Sequence, residues 1–305
     1  MACVSQLGAL FSFFCARLTL AHSALSVCRL AADDGTLTPI VSEPSKALIS
    51  AEQRARLAEV ARRYPVSIVT GRKIETIKQF VLGADGASSL PGLDGLYFAG
   101  SHGFDISCPA HAAGSDKQVA SEYLPLLRSF YEECSRECAA IPGSLVEDSV
   151  FSISVHYRNV SPEDAKRVDD IVTRALAPFE KGGQLQRHQG KMVYEIRPNI
   201  AWHKGAAVDY LLRLIYPDLP PHSQQDGAAV PELRRADGTE IVPVYIGDDT
   251  TDEDAFRLLR QYNRGSSHAL SVFVRPDDKA RHSAANYVVR DPHEVGELLH
   301  LLAKL

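Results

Sequence analysis

Three short stretches of this 305-residue chain put oxygen-rich side chains directly after apolar runs. They are Asp33-Asp34-Gly35-Thr36, Thr70-Gly71-Arg72 and Gly247-Asp248-Asp249-Thr250-Thr251-Asp252-Glu253-Asp254. A lysine, Lys204, stands between the second and the third. Carboxylates this dense repel one another unless they are protonated or neutralised by a cation, and an all-oxygen ligand set suits magnesium. Magnesium takes one or two carboxylates and fills its shell with water and substrate phosphate, which points to phosphoryl chemistry. Each stretch also has a plainer reading. Asp-Gly-Thr is a turn, Thr70-Gly71 is a helix cap, an acidic run at 248–254 complements a helix dipole, and Lys204 is a solvated lysine at a helix start. Their order along the chain favours the chemical reading.

These groups meet only if the elements before them run side by side. After Asp33 the chain alternates short strand-type runs with helical stretches, the pattern of an α/β sheet. Residues 65–69 form one apolar run, closed by Thr70-Gly71-Arg72 and followed by a helix over 73–80. Residues 241–246 form another, closed by Gly247-Asp248-Asp249 and followed by a helix over 252–262. That helix puts Ala255, Phe256, Leu258, Leu259 and Tyr262 on one face, and 204–215 does the same with Ala207, Val208, Leu211, Leu212 and Ile215. In an open parallel sheet the carboxyl ends of the strands line one crevice, so the three polar stretches converge. The middle differs. Residues 151–158 and 191–197 alternate polar and apolar, which predicts antiparallel strands with one polar face, and 162–178 between them reads as an amphipathic helix. This block is expected to be a separate module inserted into the sheet. Residues 83–95 and 217–238 read as loops.

The order Asp-Gly-Thr, Thr-Gly-Arg, Lys, Gly-Asp-Asp-x-x-Asp resembles the haloacid dehalogenase phosphatase superfamily, and the wording is similar to its trehalose-6-phosphate phosphatases. The residues that carry the resemblance are Asp34-Gly35-Thr36-Leu37-Thr38-Pro39-Ile40, Val69-Thr70-Gly71-Arg72, Gly100-Ser101-His102-Gly103-Phe104-Asp105, Ser154-Val155-His156-Tyr157-Arg158, Glu195-Ile196-Arg197-Pro198, Trp202-His203-Lys204-Gly205 and Gly247 through Phe256. Each motif alone is weak, and seven in order are specific. The resemblance implies a Rossmann-like parallel-sheet core, 27–105 and 198–305, with an inserted α+β cap, 106–197. It implies hydrolysis of trehalose 6-phosphate to trehalose and phosphate with magnesium, through an aspartyl-phosphate. Asp34 matches the general acid–base, its carbonyl also binding the metal. Thr70 matches the phosphoryl hydrogen-bond donor, and Lys204 the cation offsetting charge on the transferring group. Asp248 matches the metal ligand, supported by Asp249 or Asp252. Lys191, Glu195 and Arg197, at alternate positions of one strand, share a face. With Arg72, His102 and Arg158, this face is expected to meet the sugar; a solvated polar face is the alternative for the strand alone. Association with a trehalose-phosphate synthase is a further expectation.

The chain departs from the family at one place. The nucleophile is an aspartate two positions before Asp34, and here that position is Ala32. Alanine carries no nucleophilic atom. Asp33 is no simple substitute, since neighbouring strand side chains point to opposite faces. The run 26–32 is also a poor buried strand, with Arg29 among small residues. Residues 1–26 are atypical, and 1–33 are expected to be an alternative front rather than the natural beginning of the domain. A secretory signal is the second reading of that segment, although no Lys or Arg precedes its apolar run at 7–16.

Composition narrows the classes. A net charge of −5, from 33 basic and 38 acidic residues, argues against a nucleic-acid partner held by a basic face. The run at 7–16 is shorter than the ~20 residues a membrane span needs. Six cysteines without a Cys-x-x-Cys pair read as thiols of a reducing compartment, so the cytoplasm is the expected location. Two further readings remain: a non-catalytic protein that binds the sugar phosphate, and a phosphatase for another sugar phosphate.

Overall fold

The computed structural model describes residues 23–26, 35–39, 41, 47–83, 90–112, 114–190, 192–220, 232–264, 267–275 and 282–305. In chain order, strand β1 (Ser23–Ser26) is followed by helix α1 (Ala51–Ala61), β2 (Ser67–Val69), α2 (Ile74–Leu82), β3 (Tyr97–Gly100) and β4 (Asp105–Ser107). Then come β5 (Lys117–Gln118), α3 (Leu124–Cys138), β6 (Leu145–Asp148), β7 (Ile153–His156), α4 (Pro162–Lys181), β8 (Leu185–Gly190) and β9 (Val193–Pro198). The last third holds α5 (Lys204–Ile215), β10 (Glu240–Gly247), α6 (Glu253–Arg264), β11 (Leu270–Val274), β12 (Tyr287–Val289) and α7 (Pro292–Leu302). The chain divides into two compact units, 117–201 and the remainder on either side of it.

The first unit is α/β, as the alternating pattern predicts. Strands β1, β10, β11 and β12 pair in parallel in that order, β2 pairs in parallel with β3, and β4 closes antiparallel on β3. Strand β10 is buried along its whole length because it carries apolar side chains on both faces. Val242, Val244 and Ile246 join Ile68, Ile77, Val272 and Leu299 on one side, while Ile241 and Tyr245 join Val208, Phe256, Leu259 and Phe273 on the other. Ser50 starts α1 by accepting the Gln53 N–H at 3.1 Å. Of the run at 26–32, expected to lead into Asp33, Ser26 is the last residue of the β1 strand that pairs with β10, and the rest lies outside the described residues.

The second unit is α+β. Strands β6, β7, β9 and β8 form one antiparallel sheet in that order. Helices α3 and α4 cover one face of it, with Leu127, Phe130, Val168, Val172, Leu176, Ile153, Val155 and Ile196 as its core. Ser161 caps α4, accepting the Asp164 N–H at 3.1 Å. The sequence draws the edges of this insertion at 106 and 197; Ile106 itself pairs with Ala99 of β3 and is buried in the first unit, and that unit runs on to Asp116.

Candidate active site

Strand β2 ends at Val69, and Thr70 follows it, fully buried, its N–H donating to the Ala99 carbonyl at 3.0 Å. The Thr70 hydroxyl accepts the Arg72 N–H at 3.1 Å, which turns the chain sharply into α2. The loop after β3 is fastened to this turn: Ser101 N–H donates to the Arg72 carbonyl and His102 N–H to the Thr70 carbonyl, each at 2.8 Å. Ser101 and His102 achieve this with positive φ of 48° and 59°, and Gly103 follows at 93°. Left-handed backbone in residues with a Cβ is strained and concentrates at functional sites. The His102 ring lies against Gly71, where a Cβ would come 2.8 Å from Nε2. Arg72 stacks its guanidinium over Phe80 at 5.0 Å.

Strand β10 ends at Gly247, and the acidic loop that follows folds around one buried carboxylate, that of Asp252. Oδ2 of Asp252 accepts the N–H groups of Asp248 at 3.0 Å and Asp249 at 3.1 Å. Oδ1 accepts from Lys204 Nζ at 2.9 Å and from the Tyr245 hydroxyl. An ionised carboxylate offers about four lone-pair positions, and four protein donors occupy those of Asp252. Gly247 makes room for it, since a Cβ there would lie 2.4 Å from Asp252 Cγ. Lys204, at the first position of α5, is 1% exposed and also lies 3.6 Å from Asp249 Oδ1. It is no solvated helix-start lysine.

Asp249 Oδ1 accepts from Thr251 N–H and hydroxyl, both at 2.7 Å, and from Asp252 N–H at 3.0 Å. Loss of water works against its ionisation, but Lys204, Thr251 and Asp252, with His102 contributing least, outweigh that and hold its carboxyl well below the usual range. Complete burial pushes the Asp252 carboxyl up, against the pull of Lys204 and Tyr245. Asp248 turns the other way. Its Oδ1 accepts from the Thr36 hydroxyl at 2.6 Å, and a Cβ on Gly35 would lie 2.2 Å from its Oδ2. Asp248 therefore borders the turn of Gly35 and Thr36; Asp34, with Ala32 and Asp33, lies outside the described residues. Among the described residues no cluster of three or more His, Cys, Asp and Glu side chains could hold a metal ion.

Thr70 and His102 meet after β2 and β3, and Asp249, Lys204, Asp252, Asp248 and Thr36 form a row of neighbours around the loop after β10; the charge of His102 is felt at Asp249. The arrangement offers a buried cation, a carboxylate facing the turn of Gly35 and Thr36, and a buried hydroxyl.

The other sugar-facing candidates belong to the second unit. Arg197 is mostly buried and donates from Nη2 to Glu195 Oε2 at 2.5 Å. Register sets Ser154, Glu195 and His188 side by side across β7, β9 and β8, with Gln186 opposite Arg197. These side chains stand on the face away from the apolar core of Tyr194 and Ile196. Arg158 is exposed in the turn after β7, and Lys191 lies outside the described residues. Sequence reasoning placed Thr36 and Thr251 inside the polar stretches without giving either a role, and missed Tyr245. The signal available for Tyr245 was its position two before Gly247, which puts both on one face of the strand.

A family model described as trehalose-phosphatase matches residues 32–293. A probable trehalose-phosphate phosphatase D of Arabidopsis thaliana is 37% identical over 278 residues, covering 89% of this chain and 65% of that protein. Trehalose-phosphate phosphatase B of the same plant is 35% identical over 278 residues, covering 89% and 64%. The chain therefore spans just under two thirds of the length of these curated relatives. Among solved structures, the C-terminal domain of a C. albicans trehalose-6-phosphate phosphatase superposes with a TM-score of 0.69 at 20% identity, over 96% of this chain and 97% of that one. At that identity the likeness concerns the fold, an α/β core of the haloacid dehalogenase type.

Proposed function

Because the chain belongs to the trehalose-phosphatase family, we propose that its site takes trehalose 6-phosphate and is built for hydrolysis to trehalose and phosphate. The observation that carries this reading is the fully buried Lys204 beside the carboxylates of Asp249 and Asp252, with a buried Thr70 at the end of β2. A buried ammonium among carboxylates at the open ends of parallel strands suits an incoming phosphoryl group. Thr70 would donate to a phosphoryl oxygen, and Lys204 would offset charge as it builds on that group.

Magnesium fits the residues present. Asp248 offers carboxylate oxygens beside the turn of Gly35 and Thr36, and hard oxygen donors are what this ion selects. Asp248 and Asp34 would hold it, with Asp249 at their side and Asp252 as support beneath, its own lone pairs being taken by protein donors. When bound, the ion would supply a positive charge that screens the phosphate from these carboxylates. Asp34 would give a proton to the departing sugar oxygen and then take one from the attacking water. Arg72, His102, Arg158, Lys191, Glu195 and Arg197 would bind the sugar phosphate, with the alternating donors and acceptors of β9 suited to hydroxyls. The reading implies a cytoplasmic enzyme, as the thiol usage of the sequence suggests; among the described residues no helix is long and apolar enough to cross a membrane. Association with a trehalose-phosphate synthase extends the same reading.

One residue favours a second reading. Ala32 stands at the nucleophile position, so the chain as written would bind the sugar phosphate without forming an aspartyl-phosphate. Phosphate release from trehalose 6-phosphate, with magnesium, by this chain and its Ala32→Asp variant separates the two. Loss of a nucleophile in another covalent-catalysis enzyme costs on the order of 10⁶ in turnover. We expect a silent chain and an active Ala32→Asp variant. Turnover by the unaltered chain would make Asp33 the nucleophile, and silence from both would leave a binding protein, to be checked by titration with the sugar phosphate.

A further inference from the structure

We propose that Tyr245 is a positioning residue: its hydroxyl fixes the Asp252 carboxylate, and through it the loop that carries the metal-facing Asp248 and Asp249. The inference rests on the magnesium reading above and adds a residue that neither the motifs nor the family likeness singles out.

Tyr245 and Gly247 are two residues apart on β10, so they share a face. Both are shaped around Asp252. Gly247 leaves the space, since a Cβ there would lie 2.6 Å from Asp252 Oδ2, and the Tyr245 hydroxyl donates to Oδ1. The two oxygens of Asp252 then do different work. Oδ2 gathers the N–H groups of Asp248 and Asp249, which sets the path of the loop. Oδ1 is shared by Lys204 Nζ and the Tyr245 hydroxyl.

These two donors differ in stiffness. Lys204 reaches Asp252 on a flexible four-carbon stem and has a second carboxylate, Asp249, at 3.6 Å. Tyr245 is rigid. It is fully buried in the strand, and its ring meets Phe256 edge-on at 5.4 Å and 80°. With Lys204 alone on Oδ1, the carboxylate can follow the ammonium toward Asp249 and swing Oδ2 away from the two N–H groups. With Tyr245 in place it cannot. The hydroxyl thus transmits the fixed position of the sheet to a loop that would otherwise be set only by mobile side chains. Partners behind a metal ligand commonly change affinity by 10–100-fold when removed.

The test is calorimetric titration of magnesium chloride into the full chain and its Tyr245→Phe variant, with folding followed by fluorescence of the sole tryptophan, Trp202. Phenylalanine keeps the ring and the Phe256 contact and removes only the donor. The expected result is a magnesium Kd weakened at least tenfold in a variant that melts within a few degrees of the parent. An Asp252→Asn background supplies the second variant. There Tyr245→Phe should add less than a twofold change, because the hydroxyl acts through that carboxylate. An unchanged Kd, or an equal loss in both backgrounds, overturns the proposal. So does a Tyr245→Phe chain that fails to fold, since a hydroxyl that only positions does not decide folding. If the parent chain itself takes up no magnesium, the magnesium reading falls first, and this inference with it.

Discussion

Lys204→Met is the substitution that asks most directly whether the site is built around a buried charge. Methionine matches the length of the lysine stem, so the loss is the ammonium rather than volume. That ammonium is 1% exposed and lies 2.9 Å from Asp252 Oδ1 and 3.6 Å from Asp249 Oδ1. Breaking a buried pair by removing one partner costs about 3–5 kcal/mol, against about 0.2–1 kcal/mol for an exposed pair. The loss should also depend on pH. Without Lys204 the carboxylates hold their charge less readily and their folded-state pKa rises above the parent's. The variant's folded state then binds a proton at pH values where the parent's does not, so the deficit shrinks as pH falls. Urea unfolding at pH 7.5 and pH 5, read by Trp202 fluorescence, measures both effects. Trp202 is the only tryptophan and sits in the same unit, hydrogen-bonded to the Gly103 carbonyl at 3.0 Å, so its signal reports that unit. A deficit under about 1 kcal/mol, or one equal at both pH values, would refute the reasoning.

Three other substitutions or reactions probe the surroundings. Gly103→Ala places a Cβ 2.4 Å from the Ala207 methyl at a φ of +93°, and overpacking with left-handed strain should cost about 2–4 kcal/mol in the same titration. Val150 holds a positive φ of 68° in the β6–β7 turn, so Val150→Asn should stabilise the second unit by about 1 kcal/mol, seen as a higher melting temperature by circular dichroism. Burial and the Asp116 carboxylate push the Cys108 thiol up to about 11, with Lys78 opposing. Its alkylation by iodoacetamide, mapped by mass spectrometry, should be slow at pH 8 and rise about tenfold per pH unit up to that value.

The legible parts of this molecule are those where residue type alone limits the options. The apolar run at 241–246 had to be a buried strand, and the acidic residues after it had to be paired or neutralised. Periodicity found α5 because its buried stripe is apolar, whereas α1 buries Gln53 beside Leu57 and Val60 and shows a weaker stripe. The run Tyr97–Gly100 is too short, and ends in too small a residue, to stand out as a strand. Within the site, a carboxylate's identity does not say whether it faces a ligand or holds a loop. By residue type Asp248 and Asp252 are alike, and only the family resemblance told ligand from support; they face opposite ways, and what separates them is the space left by Gly247 and the reach of Tyr245. Those are three-dimensional facts.

The insertion of one unit within another has a consequence for how the chain comes into being. A ribosome releases about 5–20 residues per second, and domains tend to fold as units when their last partner emerges. The second unit has everything it needs once residue 201 is out. The first unit begins earlier but cannot finish: β1 must wait for β10, more than two hundred residues downstream, and β2 and β3 stand for all that time without the α5–β10–α6 layer that completes their core. Exposed apolar strands held in this way are targets for aggregation and for chaperones. The unit that starts first is the one completed last.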